Sequence, residues 1–216
     1  MKEGGVVSST GITKNGAVAS ISGVIRDRVR RDGVCNVIIA GGTCSGKSTL
    51  ANNLISLLSA EFTATLVKQD DYFKDIRDVP KTGKGYLMDS PNSFHTSEFR
   101  QDCEQLVREG AAYIPEYNVA ENKRVGKNTP IKRSQVNVFE GLHTIRLLGG
   151  FLPGSLTIFV DTPQDVCVER RVRRDTALYG VAEERVREHF ADCIAPMYDS
   201  YIAPQREQAD LTAEGA

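Results

Sequence analysis

The segment GGTCSGKS at residues 41–48 constrains the chain more than any other part of the sequence. It matches the pattern G-x-x-x-x-G-K-[ST] and lies between an apolar run at 34–40 and a stretch with helix-spaced leucines at 46–60. Such a loop binds phosphates through backbone N–H groups, a lysine and a helix N-terminus, and its serine can bind Mg²⁺. We therefore predict a nucleoside triphosphate site, formed by Gly41, Gly42, Thr43, Cys44, Ser45, Gly46, Lys47, Ser48 and Thr49.

The composition limits the kinds of protein that can carry this loop. The chain has 216 residues, a formal net charge of −1 and 40% hydrophobic residues, which is typical of one globular domain without a general attraction for nucleic acid or anionic membranes. No segment reaches the run of about 18 apolar residues that a membrane helix needs. The 5 cysteines and 3 histidines are scattered, without metal-ligand spacing, so we expect reduced thiols and a cytoplasmic protein.

Apolar runs alternate with helical patterns from residue 34 onward. Strands are predicted at 34–40, 62–68, 134–140 and 156–161, and helices at about 46–60, 95–109, 163–175 and 181–209. Strands that alternate with helices favour a parallel sheet covered by helices on both faces. The predicted fold class is therefore α/β, of the P-loop nucleoside triphosphate hydrolase or kinase type. Ligands of such sheets bind at the carboxyl ends of the strands, so residues just after a strand are site candidates.

The phosphate-binding loop alone does not identify the reaction, because GTPases, ATPase motors and small-molecule kinases share it. A guanine-specific switch protein would normally carry D-x-x-G and N-K-x-D. The sequence has no D-x-x-G, and its single Asn-Lys pair at 122–123 lacks the following aspartate. A motor would usually need a longer chain. A small-molecule kinase needs a carboxylate at the acceptor hydroxyl and basic groups over the phosphates.

Acidic residues follow the second predicted strand. QDDYF at 69–73 comes directly after 62–68, and from the residues alone the aspartates fit either a helix N-cap with its first-turn acid or an active site. At this point the chain resembles the uridine kinase family of P-loop kinases and the related nicotinamide riboside kinases, whose second strand ends in Q-D-x-[FY]-[FY]. The resemblance implies that Asp70 takes the proton of a ribose 5′-hydroxyl near the metal, and that Tyr72 contributes to the substrate site.

The segment GYLMDSPNSFHTSEF at 85–99 resembles the acceptor segment of the same family. The resemblance implies that Asp89 binds the ribose hydroxyls. A carboxylate suits a vicinal diol because it can accept two charge-assisted hydrogen bonds at once. From the residues alone, the segment is a loop that leads into a helix, and Asp89 also fits a simple turn position.

The segment YIPEYNVAENKR at 113–124 resembles the hairpin that lies over the nucleobase in the family. Tyr117 and Arg124 match the family pattern and are implied substrate-binding residues. The family's aspartate, phenylalanine and histidine are replaced here by Asn118, Val119 and Asn122. The family uses those residues to recognise a pyrimidine, so the identity of the acceptor base stays open.

Charged residues also follow the two remaining strands. Glu140 ends the run VNVFE, where a buried carboxylate needs a cation or a donor, and the resemblance places it near Mg²⁺. The segment ERRVRRD at 169–175 resembles the family's R-R-x-x-R-D lid, which implies that Arg171 and Arg174 stabilise the transferring phosphoryl group. From the residues alone the arginines also fit a solvated helix face. A nucleic-acid patch is disfavoured, because the net charge is −1 and no aromatic residues are interleaved.

The resemblance spans residues 35–211 and implies an ATP- and Mg²⁺-dependent kinase of nucleoside salvage that phosphorylates the 5′-hydroxyl of a ribonucleoside, such as uridine or cytidine. Two alternatives stay open, a nicotinamide riboside kinase and a non-catalytic nucleotide-binding sensor. We expect residues 1–30 to form an N-terminal extension, loosely attached up to about residue 20 and followed by a short helix at 20–31, and residues 31–211 to form the kinase domain. The expected partners are a small-molecule substrate and, in a homo-oligomer, further copies of the chain, without nucleic acid or membrane.

The implied roles fall into three groups. The catalytic residues are Asp70, Lys47, Arg171 and Arg174. The metal ligands are Ser48, Glu140 and Asp70. The substrate-binding residues are Asp89, Tyr117, Arg124 and Tyr72.

Overall fold

Strands and helices alternate along the computed structural model, which describes residues 14–215. The strands are β1 (Cys35–Gly41), β2 (Ala64–Lys68), β3 (Lys81–Thr82), β4 (Gly85–Tyr86), β5 (Ala111–Asn118), β6 (Lys123–Lys132), β7 (Val136–Gly141), β8 (Leu156–Asp161) and β9 (Leu211–Glu214). The α-helices are α1 (Lys14–Asp32), α2 (Lys47–Leu58), α3 (Thr96–Glu109), α4 (Thr144–Leu148), α5 (Gln164–Tyr179), α6 (Glu183–His189) and α7 (Ala195–Met197). No helix in this part of the chain is long and apolar enough to cross a membrane.

Five strands form a parallel sheet in the order β2-β7-β1-β8-β9. The four predicted strands are all present, and the predicted α/β P-loop fold is confirmed. The edge strand β9 was not predicted, because its four residues, LTAE, carry little β signal. Two antiparallel hairpins, β3–β4 and β5–β6, lie outside this sheet.

The two faces of the sheet bury separate cores. Along β1, Val37 and Ile39 pack with the buried side chains of α1 and α2, whereas Ile38 and Ala40 pack with those of α3 and α4. This alternation follows from the two-residue period of a strand, whose successive side chains point to opposite faces. Both faces are therefore covered by helices, and the loops that follow the strands remain at one edge, where a ligand can bind.

The first helix is longer than predicted and belongs to the core. The expected helix at 20–31 extends over Lys14–Asp32, so residues 14–20, expected in a loosely attached extension, are helical. Ile21, Ile25 and Val29 are buried against the same face of the sheet as α2. Residues 1–13 of the expected extension lie outside the described residues.

The C-terminal helical region is broken into short pieces. The predicted segment at 181–209 consists of α6, π-helical turns at Phe190–Ile194 and Tyr198–Ile202 on either side of α7, and a 3-10 segment at Ala203–Gln208. Pro196 and Pro204 lie inside this region, and a proline inside a helix lacks the N–H donor and collides with the carbonyl four residues earlier. The wider and tighter turns accommodate that collision without ending the helical path.

We expect Ile25→Ala to lower the free energy of unfolding by about 2–4 kcal/mol, because it removes a fully buried side chain and leaves a cavity. Val24→Ala, at a half-buried position of the same helix, should cost less than half as much. Urea denaturation followed by circular dichroism measures both values. Equal and small losses would contradict the assignment of α1 to the core.

Candidate active site

The phosphate-binding loop turns sharply between β1 and α2. Cys44 has φ 55° and Gly46 has φ 99°, both in the left-handed region, and alternation of this conformation with ordinary helical residues points successive N–H groups to one side. Gly46 directly precedes α2 and provides no side-chain cap. The first N–H groups of α2 therefore remain available to a phosphate.

Contacts from neighbouring elements hold this loop in place. Lys47 is buried, and its Nζ donates a hydrogen bond to the Gly42 carbonyl at 2.8 Å. The hydroxyl of Thr162, at the end of β8, donates to the Ser45 carbonyl at 2.7 Å. These two hydrogen bonds hold the loop in place and fold its lysine over it.

Ser48 and Glu140 meet across the sheet. The Ser48 hydroxyl donates a hydrogen bond to Glu140 Oε1 at 3.1 Å, because β7 lies beside β1 in parallel register with Ile39 opposite Glu140. Glu140 is only 4% exposed. Burial raises the pKa of its carboxyl, and the charge of Lys47 partly opposes that shift. One cation near this pair would therefore remove a real electrostatic cost.

The Ser48–Glu140 pair fits a magnesium ion. Carboxylate and hydroxyl oxygens are ligands that Mg²⁺ accepts, and Mg²⁺ in nucleotide sites usually takes one or two protein ligands together with phosphate oxygens and water. Within residues 14–215 no cluster of three or more His, Cys, Asp or Glu side chains could hold a metal.

Asp70 lies in a 3-10 turn, Gln69–Tyr72, directly after β2. Its side chain is accessible to solvent. Partial loss of surrounding water raises the pKa of its carboxyl, while the positive charges of Lys47, Lys68 and Arg174 act in the opposite direction. Asp70 is therefore within electrostatic reach of the phosphate-binding lysine and of one lid arginine.

Asp89 is a buried carboxylate with an unused acceptor. It lies in the loop between β4 and α3, is 3% exposed, and its Oδ2 has no hydrogen-bond partner. Burial raises the pKa of its carboxyl, Arg171 and Lys47 lower it, and Asp70 raises it further. A buried acceptor without a partner is rare in folded proteins and indicates a missing donor, such as the hydroxyl of a substrate.

The lid helix α5 places its arginines over the loop. Arg171 Nη1 donates to the Thr43 hydroxyl at 3.1 Å, and its Nε lies 3.3 Å from Asp175 Oδ2. Arg174 pairs with Asp175 at 2.8 Å and is partly exposed. Arg171 lowers the pKa of Asp89 and Arg174 lowers that of Asp70, so each guanidinium group is within electrostatic reach of one of the two acids.

A cavity of about 680 Å³ lies beside Arg171 and Asp175. Its walls come from the β3–β4 hairpin, from α5 and from α6, and include Tyr86, Arg171 and His189. His189 Nε2 lies 2.9 Å from the Tyr86 carbonyl oxygen, which joins the hairpin to α6. The volume is sufficient for a small organic molecule.

Tyr72 is a correction to the sequence-based prediction. Its side chain is fully buried, its hydroxyl donates to Asp102 at 3.0 Å, and its ring packs edge-on against Phe99. The 3-10 turn that leaves Asp70 open to solvent directs Tyr72 into the core beneath α3. The side chain therefore has no surface open to a substrate.

The two hairpin residues are held mainly by other protein groups. Arg124 forms a bidentate ion pair with Glu98 of α3, at 2.6 and 2.7 Å, which ties the β5–β6 hairpin to the helix. The Tyr117 ring packs against Phe73 at 5.6 Å, and its buried hydroxyl has no hydrogen-bond partner. The structure thus brings together Lys47, Ser48, Glu140, Asp70, Asp89, Arg171 and Arg174, but it gives Arg124 a structural partner.

Sequence reasoning missed several supporting residues. Thr162 and Arg170 bond to loop carbonyls, and Gln69 and His143 brace the acidic segments. Gln69 directly precedes Asp70 in the QDDYF segment, so the sequence itself indicates that the two residues are neighbours. The other contacts join residues distant in the chain, and no local pattern indicates them.

The site combines a P-loop, a strand-end carboxylate that accepts a hydrogen bond from the loop serine, two further acids and a basic lid. This combination is typical of a P-loop kinase, a phosphotransferase with a hydroxyl acceptor. The profile of the Phosphoribulokinase / Uridine kinase family matches residues 37–215. The chain belongs to this family, and it is an ATP-dependent kinase of the P-loop type.

Two curated relatives illustrate the similarity. A uridine kinase of Aeromonas hydrophila is 32% identical over 188 residues, which cover 82% of this chain and 85% of the relative. A uridine kinase of Ureaplasma urealyticum is 28% identical over 177 residues, covering 82% and 86%.

Similar solved structures share less sequence identity with this chain than these relatives do, and they support the fold alone. A Silicibacter protein proposed to be a fructose transport system kinase has a TM-score of 0.71 at 22% identity, with coverage of 91% of this chain and 98% of that chain. A D-glycerate 3-kinase of Cryptococcus neoformans has a TM-score of 0.65 at 13% identity, with coverage of 92% and 93%.

We expect Asp89→Asn to stabilise the protein at pH 8 by on the order of 1 kcal/mol, because it removes a buried carboxylate whose Oδ2 has no hydrogen-bond donor. The folded-state pKa of Asp89 is raised, so its ionisation costs stability as pH rises, and the gain should shrink as pH falls toward 4.5. Urea denaturation at both pH values measures this difference.

The exposed Asp78 provides the matched control. Asp78→Asn should change the free energy of unfolding by less than about 0.5 kcal/mol at either pH. A loss of stability in Asp89→Asn at pH 8 would show that its carboxylate is well satisfied and would contradict the assignment.

Proposed function

We propose that the protein transfers the γ-phosphate of Mg²⁺-bound ATP to the primary hydroxyl of a ribonucleoside. The observation that carries this proposal is the convergence of Lys47, the Ser48–Glu140 pair and Asp70 at one edge of the sheet. The similarity to proteins named uridine kinase supports a nucleoside acceptor.

On the donor side, the loop N–H groups and Lys47 would hold the phosphate oxygens. Ser48 and Glu140 would hold Mg²⁺, which supplies positive charge to the phosphates when it is bound. Arg171 and Arg174 would stabilise the charge that spreads over the transferring phosphoryl group, and electrostatic stabilisation of this kind is usually the largest single contribution to such catalysis.

On the acceptor side, Asp70 would orient the primary hydroxyl and accept its proton as the new O–P bond forms. Its pKa is raised by its surroundings, which suits proton acceptance better than an ordinary aspartate. Asp89 would accept hydrogen bonds from the vicinal diol of the ribose, which would give its unpartnered Oδ2 the missing donor.

The acceptor base is not restricted to a pyrimidine in this proposal. Asn118 and Val119 are present where the family's pyrimidine-binding residues stand, and Arg124 is engaged by Glu98. Nicotinamide riboside is therefore a second candidate, since it offers the same ribose without a pyrimidine. A non-catalytic sensor is less consistent with the site, because such a protein has no need of both Asp70 and Asp89.

The same proposal includes a role in nucleoside salvage and a cytoplasmic location. All five cysteines are free thiols, and four of them are buried, which fits a reducing compartment.

The proposal predicts ADP release with Mg²⁺-ATP and at least one of uridine, cytidine, adenosine or nicotinamide riboside. A coupled ADP assay measures the turnover, and pantothenate serves as an acceptor without a ribose. ATP binding without turnover of any riboside would refute the nucleoside acceptor and favour the sensor.

Asp70→Asn should lower kcat by about 10²–10⁴-fold, because the amide cannot accept the proton, while the Kd of Mg²⁺-ATP changes little. Asp71→Asn is the matched control, since Asp71 is the adjacent, half-buried acid that accepts a backbone hydrogen bond from Tyr117. Steady-state kinetics and calorimetry test both variants. Comparable kcat loss in Asp71→Asn, or full turnover in Asp70→Asn, would reassign the base.

A further inference from the structure

His143 is a buried imidazole that the proposed reaction does not use. It directly precedes α4, three residues after Glu140, and its side chain is fully enclosed. Burial lowers the pKa of the ring to about 4, so the imidazole is neutral near pH 7. A neutral imidazole carries one N–H donor and one acceptor nitrogen.

The ring donor has a defined partner in the acceptor loop. His143 Nε2 lies 2.9 Å from the backbone carbonyl oxygen of Asp89. Because a carbonyl oxygen only accepts hydrogen bonds, the proton is on Nε2 and His143 donates it. This bond joins the residue that carries the buried diol-binding carboxylate to the segment that follows β7.

The backbone of the same residue contacts the segment of the proposed base. The His143 N–H donates to Gln69 Oε1 at 2.9 Å, and Gln69 is fully buried directly before Asp70. Gly141 presses against the Gln69 side chain so closely that a Cβ there would overlap it. One short segment, 141–143, therefore contacts the chain beside Asp70 and the chain at Asp89.

Aromatic rings fix the orientation of the imidazole. Phe94 and Tyr201 lie at centroid distances of 5.7 and 6.5 Å, both nearly perpendicular to it. A histidine that only filled the core would need no directed bond, and a leucine would fill a similar volume. The bond to Asp89 is the feature that a leucine cannot reproduce.

We infer that His143 is a positioning residue that fixes Asp89 relative to Asp70. The ring Nε2–H of His143 holds the Asp89 backbone carbonyl, and the backbone N–H of His143 is anchored at Gln69. Asp89 and Asp70, the proposed diol-binding carboxylate and general base, therefore keep a constant separation. This inference rests on the proposed roles of Asp70 and Asp89. Loss of the ring N–H donor should therefore weaken recognition of the ribose diol more than it weakens ATP binding.

The kinetic test compares a ribonucleoside with its 2′-deoxy analogue in His143→Leu and His143→Gln. The ratio of kcat/KM for the ribonucleoside to kcat/KM for its 2′-deoxy analogue should fall about tenfold in His143→Leu, since a buried hydrogen bond is lost. His143→Gln keeps an N–H donor and should restore most of this ratio. The Kd of Mg²⁺-ATP should not change. Equal losses for both acceptors, or an unchanged ratio in His143→Leu, would overturn the inference.

A second measurement does not depend on the acceptor. Hydrogen–deuterium exchange of the backbone amides at 87–93 should be faster in His143→Leu than in the wild type and His143→Gln, while β1 and α2 keep their rates. Unchanged protection at 87–93 would also overturn the inference. If the wild-type protein phosphorylates no riboside, the proposed function fails, and the exchange measurement alone decides the role of His143.

Discussion

The parallel register of β2, β7 and β1 is the constraint on which the site depends. Lys68 at the end of β2 pairs with Glu140 of β7, and Ile39 of β1 pairs with the same residue on its other side. The loops that follow these strands must therefore leave the sheet side by side. This arrangement brings Lys47, the Ser48–Glu140 pair and Asp70 to one edge of the sheet.

The same edge concentrates acids whose ionised forms are costly to bury. Burial raises the pKa of both Glu140 and Asp89, and Asp70 adds negative charge beside each of them. Lys47 is the common opposing charge, since it lowers the pKa of all three carboxyls. A cation and a hydroxylated ligand would complete the balance, so the site exchanges some stability for readiness to bind, as functional sites commonly do.

The strand-end residues could be predicted from the sequence because a buried parallel strand is a strong local signal, and whatever follows it lies at the ligand-binding edge. The prediction that Tyr72 binds substrate was wrong because the direction of its side chain in the 3-10 turn depends on packing against α3. The Arg124–Glu98 pair joins a strand to a helix, and the His143–Asp89 bond spans 54 residues, so no local pattern of the sequence indicates either contact. The P-loop is the clearest motif of the sequence, but it predicts only the nucleotide that donates the phosphate and not the molecule that accepts it.

A crystal structure of the protein with a non-hydrolysable ATP analogue, Mg²⁺ and an accepted riboside would reveal both halves of the proposed site. We expect the primary hydroxyl within about 3 Å of an Asp70 carboxylate oxygen, the diol on Asp89, and Mg²⁺ held by Ser48 and Glu140. A riboside whose primary hydroxyl faces another group, or a diol away from Asp89, would contradict this expectation.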